Sequence, residues 1–289
     1  MTIRYLLAAL FAGALVIASA TASPAAATDS VNQAANSLSS NALANKVFKR
    51  PANSGRTGIM HFALENRRGH QRKRTARIFH ADASDETKVA IYFTAPGAIE
   101  ETAFLSLDRK DANDDENWLY LPATERVRRL PASQRGDYFM GTDLTYGDIK
   151  DNFKFSPEDW VFADCKQSPW PDNELPCLTG TALSSQIAEE LGYSRFIAVV
   201  DPATWFPQKI RYFDKEGQAL KDVVIESQEE IGGAWTAMAF VLTNLQSEHI
   251  TRVHFTEMEA RATLPNSVFS ATELEFGIPQ LKAEGAASD

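Results

Sequence analysis

Apolar residues along this chain recur mostly with a period of two, in short runs separated by turn residues. That alternation is the mark of β-strands. Strands are expected over 58–66, 71–80, 87–94, 102–107, 117–121 and 126–130, and again over 194–200, 208–213, 219–227, 235–245 and 249–258. Arg67-Arg68-Gly69, Asp214-Lys215-Glu216-Gly217 and Ile231-Gly232-Gly233 carry hairpin turn chemistry between them. No long helical pattern separates the strands, so the order predicts an antiparallel meander and not a parallel βαβ sheet.

Several strands are apolar on both faces. In Val89-Ala90-Ile91-Tyr92-Phe93 one face carries Val89, Ile91 and Phe93, and the other carries Ala90 and Tyr92. Trp118 and Tyr120 oppose Leu119 and Leu121 in the same way, and Met238-Ala239-Phe240-Val241-Leu242 repeats the pattern. A sheet wetted on one side alternates cleanly. This one must be covered twice, or curve around a cavity that helices close. Helical periodicity occurs over 28–50, where Val31, Ala34, Ala35, Leu38, Leu43, Val47 and Phe48 form one stripe and Lys49-Arg50-Pro51 ends it. Residues 184–192 and 266–274 read as short helices or irregular cover.

The N-terminus sets the compartment. Arg4, an apolar stretch from Leu6 to Ala20 and the small residues Ser23-Pro24-Ala25-Ala26-Ala27 have the form of a secretory signal peptide cleaved after about Ala27. The expected mature chain, 28–289, is one domain in the periplasm. A formal charge of −9 argues against a nucleic-acid partner and favours a soluble monomer. Cys165 and Cys177 meet an oxidising space after export, and their spacing fits neither a CxxC redox motif nor a zinc site. A disulfide closing the Pro-rich loop between them is expected.

Candidate chemistry is sparse. The acidic run Asp111–Asn117 lacks the Gly and Glu of a calcium loop and reads as a solvated hairpin tip. Asp143 and Asp148 bracket Thr145-Tyr146-Gly147, where turn or capping hydrogen bonds account for them. The histidines His61, His70, His80, His249 and His254 form no metal-ligand motif, and no serine sits in a nucleophile elbow. No cofactor, metal or catalytic residue is therefore assigned. Basic residues cluster at Arg67, Arg68, Arg72, Lys73, Arg74 and Arg77, and at Arg126, Arg128 and Arg129. Such clusters serve either as a charged edge that resists aggregation or as a dock for an anionic lipid surface or membrane partner. The aromatics Phe104, Trp118, Tyr120, Phe139 and Tyr146, with Leu105, Met140 and Leu144, make either ordinary core or the wall of an apolar cavity.

The segments Thr102-Ala103-Phe104-Leu105-Ser106-Leu107, 118–131 (WLYLPATERVRRLP) and 139–149 (FMGTDLTYGDI) resemble the outer membrane lipoprotein-sorting-protein-like family, which is similar to the periplasmic carriers LolA and LolB. The order Val200-Asp201-Pro202-Ala203-Thr204, Pro207-Gln208-Lys209-Ile210, Gly217, Gly233-Ala234-Trp235 and Phe269 continues the resemblance. It implies a mainly β, α+β fold: an incomplete antiparallel β-barrel whose open side is closed by helices over an apolar cavity. It further implies a non-catalytic carrier of lipid or acylated cargo, linked in such families to membrane exporters of the resistance–nodulation–division type. The Cys pair and the insert over 168–178 stand apart from that pattern.

Overall fold

The computed structural model describes residue 32 and residues 34–83, 86–109 and 116–281. The expected signal peptide and residues 111–115 of the acidic run lie outside them. Among the described residues one sheet holds thirteen strands. They are β1 (Arg56–Glu65), β2 (Gln71–Asp82), β3 (Glu86–Ala95), β4 (Ala103–Arg109), β5 (Glu116–Leu121) and β6 (Arg126–Leu130), then β7 (Trp160–Asp164), β8 (Cys177–Ala182), β9 (Arg195–Asp201), β10 (Phe206–Phe213), β11 (Ala219–Ile231), β12 (Ala234–Asn244) and β13 (Ile250–Ala260).

The strand order is β6-β5-β4-β3-β2-β1-β13-β12-β11-β10-β9-β8-β7, antiparallel at every join. This is the antiparallel meander expected from the alternation and turns, in the open β-barrel form that the family resemblance implies. All eleven expected strands are present. Two more, β7 and β8, were not expected. They are short, and β8 contains Gly180, where a side chain would collide with the ring of Phe196 (2.2 Å from an added Cβ). A glycine required by close packing removes the apolar position that would have marked the strand.

The two open edges, β6 and β7, are consecutive in the chain. The segment joining them, residues 131–159, does not loop around the outside. It crosses the inner face of the barrel. Phe139 packs on Phe93 (6.0 Å between ring centres) and Phe104 (5.3 Å) at one end. Phe153 meets Phe206 and Phe240, and Phe155 stacks on Phe196 at 3.9 Å toward the other. The segment carries a one-turn helix, α2 (Asp148–Asp151), which follows the N-terminal helix α1 (Ser40–Phe48) and precedes α3 (Ser185–Leu191).

Buried polar ties hold the crossing segment in place. The Lys221 side chain, with no solvent exposure, donates from Nζ to the Asp143 carbonyl (2.5 Å) and to Asp148 Oδ2 (2.7 Å). Tyr193 donates its hydroxyl to the same Asp148 oxygen (2.8 Å), as does the Thr145 backbone N–H (2.8 Å). The rings of Tyr193 and Tyr212 lie 4.9 and 5.4 Å from the ammonium. Burial, together with the charge of Asp148, pushes the Tyr193 phenol well above its ordinary range, so it remains a donor. A charge this deep persists only when it is paired and hydrogen-bonded.

Helix α1 covers the β7–β8 side. Ser39 caps it by accepting from the Ala42 N–H (3.3 Å), and Leu43, Ala44 and Val47 are its buried face. The expected helix over 28–50 is thus interrupted at Ser37–Ser39, and its first residues lie outside those described. Beyond its end, buried Arg50 donates to the Trp205 carbonyl (3.1 Å) and the Asn152 carbonyl (2.6 Å). Burial lowers that guanidinium to about 9. On the outer face, Phe79, Tyr92, Leu105 and Tyr120 are covered by Val268, Phe269 and Leu274 from two 3-10 turns, Asn266–Phe269 and Ala271–Phe276. Both sheet faces are therefore covered, as their double apolarity requires. Cys165 and Cys177 form the expected disulfide at the end of the β7–β8 hairpin.

Two outcomes are expected. Asp148→Asn leaves Lys221 as an unpaired buried charge and should cost about 3–5 kcal/mol, read as a fall in the urea midpoint. Adding Lys221→Met should recover part of that loss, whereas simple additivity would refute a coupled pair. Replacing both cysteines by serine reopens a loop with a sequence separation of 12. It should lower stability by about 3 kcal/mol; an unchanged melting curve would mean that the strand ladder alone holds the hairpin.

Candidate functional site

The inner face supplies the apolar side of the site. Met60 of β1, Ile78 of β2 and Phe255 of β13 point inward in phase across the ladders, and a register shift between β11 and β12 lets Ala237 and Phe240, three residues apart, both join them. Leu144, Ile149 and Phe153 of the crossing segment close over them. A narrow cavity of about 50 Å3 remains between the two layers. Arg56 and His80 reach its edge. Arg56 donates to Thr236 Oγ1 (3.1 Å), and burial lowers its guanidinium to about 10 while Asp82 opposes the shift. Cavity and segment share residues, so lifting the segment would merge this space with the apolar inner wall.

A second, much larger pocket of about 760 Å3 opens at one end of the barrel, where the β1–β2 and β12–β13 turns meet the start of the crossing segment. Its lining is mixed: Arg67, Arg68, Tyr138, Asp143, Asn244 and His249 stand beside Leu220. Asp143 Oδ2 lies 2.6 Å from His249 Nδ1 and accepts from the Thr251 hydroxyl at 2.7 Å. Thr251 Oγ1 in turn accepts from the Asp143 backbone N–H (2.9 Å). These contacts tie Asp143 to β13. The neighbouring hydroxyl donates to the carboxylate and not to the imidazole, which is not the order of a nucleophile–base–acid relay. Among the described residues no group of three His, Cys, Asp or Glu side chains is arranged to hold a metal.

The residues expected to wall a cavity divide between two faces. Phe104, Phe139 and Tyr146 form a triangle on the inner face with ring centres 5.3–5.5 Å apart. Leu144 is buried beside them and Met140 packs against the same core, its carbonyl accepting from the Arg74 guanidinium. Leu105, Trp118 and Tyr120 lie on the outer face under the C-terminal turns. The register explains the split: Leu105 pairs with Trp118 and Ala103 with Tyr120, while Phe104 pairs with Leu119. Cross-strand partners share a face, and successive residues alternate. The three arginines of β6 divide likewise. Arg126 and Arg128 pair with Leu121 and Leu119, whereas Arg129 pairs with Trp118 and sits 6.0 Å from its ring.

Asp148, not Asp143, makes the turn bond expected of the pair, accepting from the Thr145 N–H. Lys221, Phe153 and Phe255 did not stand out in the sequence, His249 counted there only as a histidine outside any metal-ligand motif, and Phe240 only as part of a doubly apolar strand. For Lys221 a signal existed: it is in phase with Val223 and Ile225, a cation on the buried face of a strand. His61 and His254, unremarkable as motifs, are direct cross-strand partners with rings stacked at 4.5 Å.

Comparison with known proteins places this geometry. A family described as "Uncharacterized protein" matches over residues 85–276. A search of curated proteins finds no match. Among solved structures, a putative outer membrane lipoprotein-sorting protein domain from Vibrio parahaemolyticus superposes with a TM-score of 0.71 at 22% identity, covering 80% of this chain and 95% of that one. A DUF1329 family protein from Desulfovibrio piger gives 0.71 at 21% identity, over 84% and 98%. A LolA superfamily protein from Nitrosomonas europaea gives 0.61 at 16%, over 81% and 98%. At these identities the likeness establishes the fold. The chain belongs to the family of uncharacterized proteins that spans residues 85–276, and its fold is the open β-barrel of the LolA-like, outer membrane lipoprotein-sorting-like proteins.

Proposed function

We propose that this protein is a non-catalytic periplasmic carrier that takes up lipid or acylated cargo and moves it between membranes. The observation that carries the reading is the crossing segment itself. It covers an apolar inner wall with side chains, and its main fastenings are side-chain ties such as Lys221–Asp148 rather than a strand ladder. Cover of that kind can separate from the wall without breaking the sheet. The cavity of about 50 Å3 is far smaller than an acyl chain needs, so the described state is a closed one. Loading requires residues 131–159, helix α1, or both to move outward.

Burial of apolar area at about 25 cal/mol per Å2 would then hold cargo without directional contacts, which implies loose cargo selection. Of the residues first expected to wall the cavity, Phe104, Phe139, Met140, Leu144 and Tyr146 would face the cargo. Leu105, Trp118 and Tyr120 would support the wall from behind. The N-terminal signal motif and the disulfide support export to an oxidising space. The name of the Vibrio parahaemolyticus relative, a putative lipoprotein-sorting domain, supports cargo of this class.

A second reading draws on one observation. Arg126, Arg128 and Arg129 lie exposed on the open edge strand β6, a surface suited to a membrane exporter of the resistance–nodulation–division type. In that reading the protein is an accessory subunit that carries nothing.

Native mass spectrometry with lipid extraction, on mature protein purified without detergent, separates the two. A stoichiometric apolar adduct is expected. A clean apo mass, repeated after incubation with membranes, would instead favour the exporter partner. Ala237→Leu extends a side chain into the inner cavity and should cut cargo occupancy several-fold while leaving the protein folded; unchanged occupancy in that variant would remove the inner cavity from the cargo path.

A further inference from the structure

The mouth pocket lies outside the apolar inner cavity, and its lining is largely polar. Two side-chain amides shape its rim. Asn66 Oδ1 accepts from the backbone N–H groups of Arg68 (2.9 Å) and His70 (3.1 Å), which fixes the turn carrying Arg67 and Arg68. Asn244 Oδ1 accepts from the N–H groups of Gln246 (3.0 Å) and Ser247 (2.9 Å), which fixes the turn opposite. Both arginine side chains are exposed at the lip, with their backbone already ordered.

Charge is distributed unevenly here. In a chain of net charge −9, Arg67 and Arg68 line one opening, and Arg72 and Arg74 follow them along β2. Arg72 and Arg74 pair in register with Leu64 and Phe62, and so extend the inner face of β2 toward the mouth. Three of the nearby carboxylates accept hydrogen bonds, while Glu248, between Ser247 and His249, is exposed. Asp143 is held by His249 and Thr251, Glu65 by Arg252 (3.2 Å) and Gln71 (3.2 Å), and Asp214 by Gln246 (2.7 Å). Tyr138 accepts from Asn244 Nδ2 (3.0 Å), which leaves its own proton for a further acceptor. Burial and the charge of Asp143 raise its phenol above the ordinary value, so it stays protonated.

Two exposed guanidinium groups carried on an ordered turn, in the same pocket as a neutral hydroxyl donor, can meet the oxygens of a phosphate group. The volume of about 760 Å3 exceeds what phosphate alone would fill and lies in the range of small-molecule sites. We infer that the mouth pocket binds a phosphate-bearing ligand, with Arg67 and Arg68 as its charge partners and Tyr138 as a neutral donor. Reading that phosphate as the headgroup of a lipid rests on the carrier function; phosphate capture at the mouth does not.

The test titrates the mature protein with inorganic phosphate, with a short-chain phosphatidylglycerol below its micelle concentration, and with the matching phosphate-free diacylglycerol. Phosphatidylglycerol should bind, the phosphate-free lipid should bind more weakly, and raising salt from about 0.05 to about 0.3 M should weaken the difference. Arg67→Ala/Arg68→Ala should lower phosphatidylglycerol affinity about tenfold or more with an unchanged melting temperature. Lys166→Ala/Lys209→Ala, which removes the same charge away from the mouth, should leave it unaltered. Equal loss in both double variants, or none in the first, overturns the inference. Phosphate binding as tightly as the lipid keeps the site but rejects the headgroup. Cargo occupancy by native mass spectrometry on the same samples separates the two proposals. Cargo present without phosphate recognition sinks the mouth site alone, and phosphate recognition with an empty lipid extract sinks the carrier alone.

Discussion

The buried contact between Lys221 and Asp148 is the interaction on which the arrangement depends. An antiparallel sheet that stops short of closure has an apolar inner face and two unpaired edges, and both are liabilities in water. This chain resolves the first by sending the link between the two edges across the inside. That link is too irregular to join the ladder. It needs anchors of another kind, and Lys221 of β11, Thr251 of β13, and Tyr193 and His249 just before β9 and β13 provide them.

Anchors of this kind are specific without being strong in proportion to their number. Each buried charge loses its hydration, and the ion pair with its hydrogen bonds returns a comparable amount. The result fixes where residues 139–149 sit while adding little net stability. The aromatic contacts of Phe139, Phe153 and Phe155 supply the adhesion, and they are non-directional. A layer held by greasy contact and registered by a few polar ties is suited to leave and return to the same place. That property links the packing to the proposed carriage of cargo.

The same geometry separates two chemistries in space. The narrow inner cavity is lined mostly by aliphatic and aromatic side chains, with Arg56, His80 and Asp148 among its few polar neighbours, whereas the mouth gathers guanidinium groups, amides and a phenol around a wide opening. Asp143 and Leu144 are adjacent in sequence, and one lines the mouth while the other lines the cavity. Displacement of the crossing segment would therefore alter both at once. A ligand with an apolar tail and an anionic head would meet each chemistry in turn.

By itself the sequence determined the strand alternation, eleven strands and their turns, the double apolarity of the sheet, the disulfide and the family resemblance. All of these are local or pairwise properties, written in period, turn residues and cysteine count. What it left open was which face is which. Phe104 and Leu105 are equally apolar neighbours, and only the curvature of the sheet puts the first inside and the second under Val268 and Phe269. The short strand β8 escaped because Gly180 gives up its side chain to the ring of Phe196, and β7 is only 5 residues long. The pairing of Asp143 with His249 and of Asp148 with Lys221 joins residues 106 and 73 positions apart. No local pattern encodes such contacts, since they exist only once the chain between the open edges has turned inward.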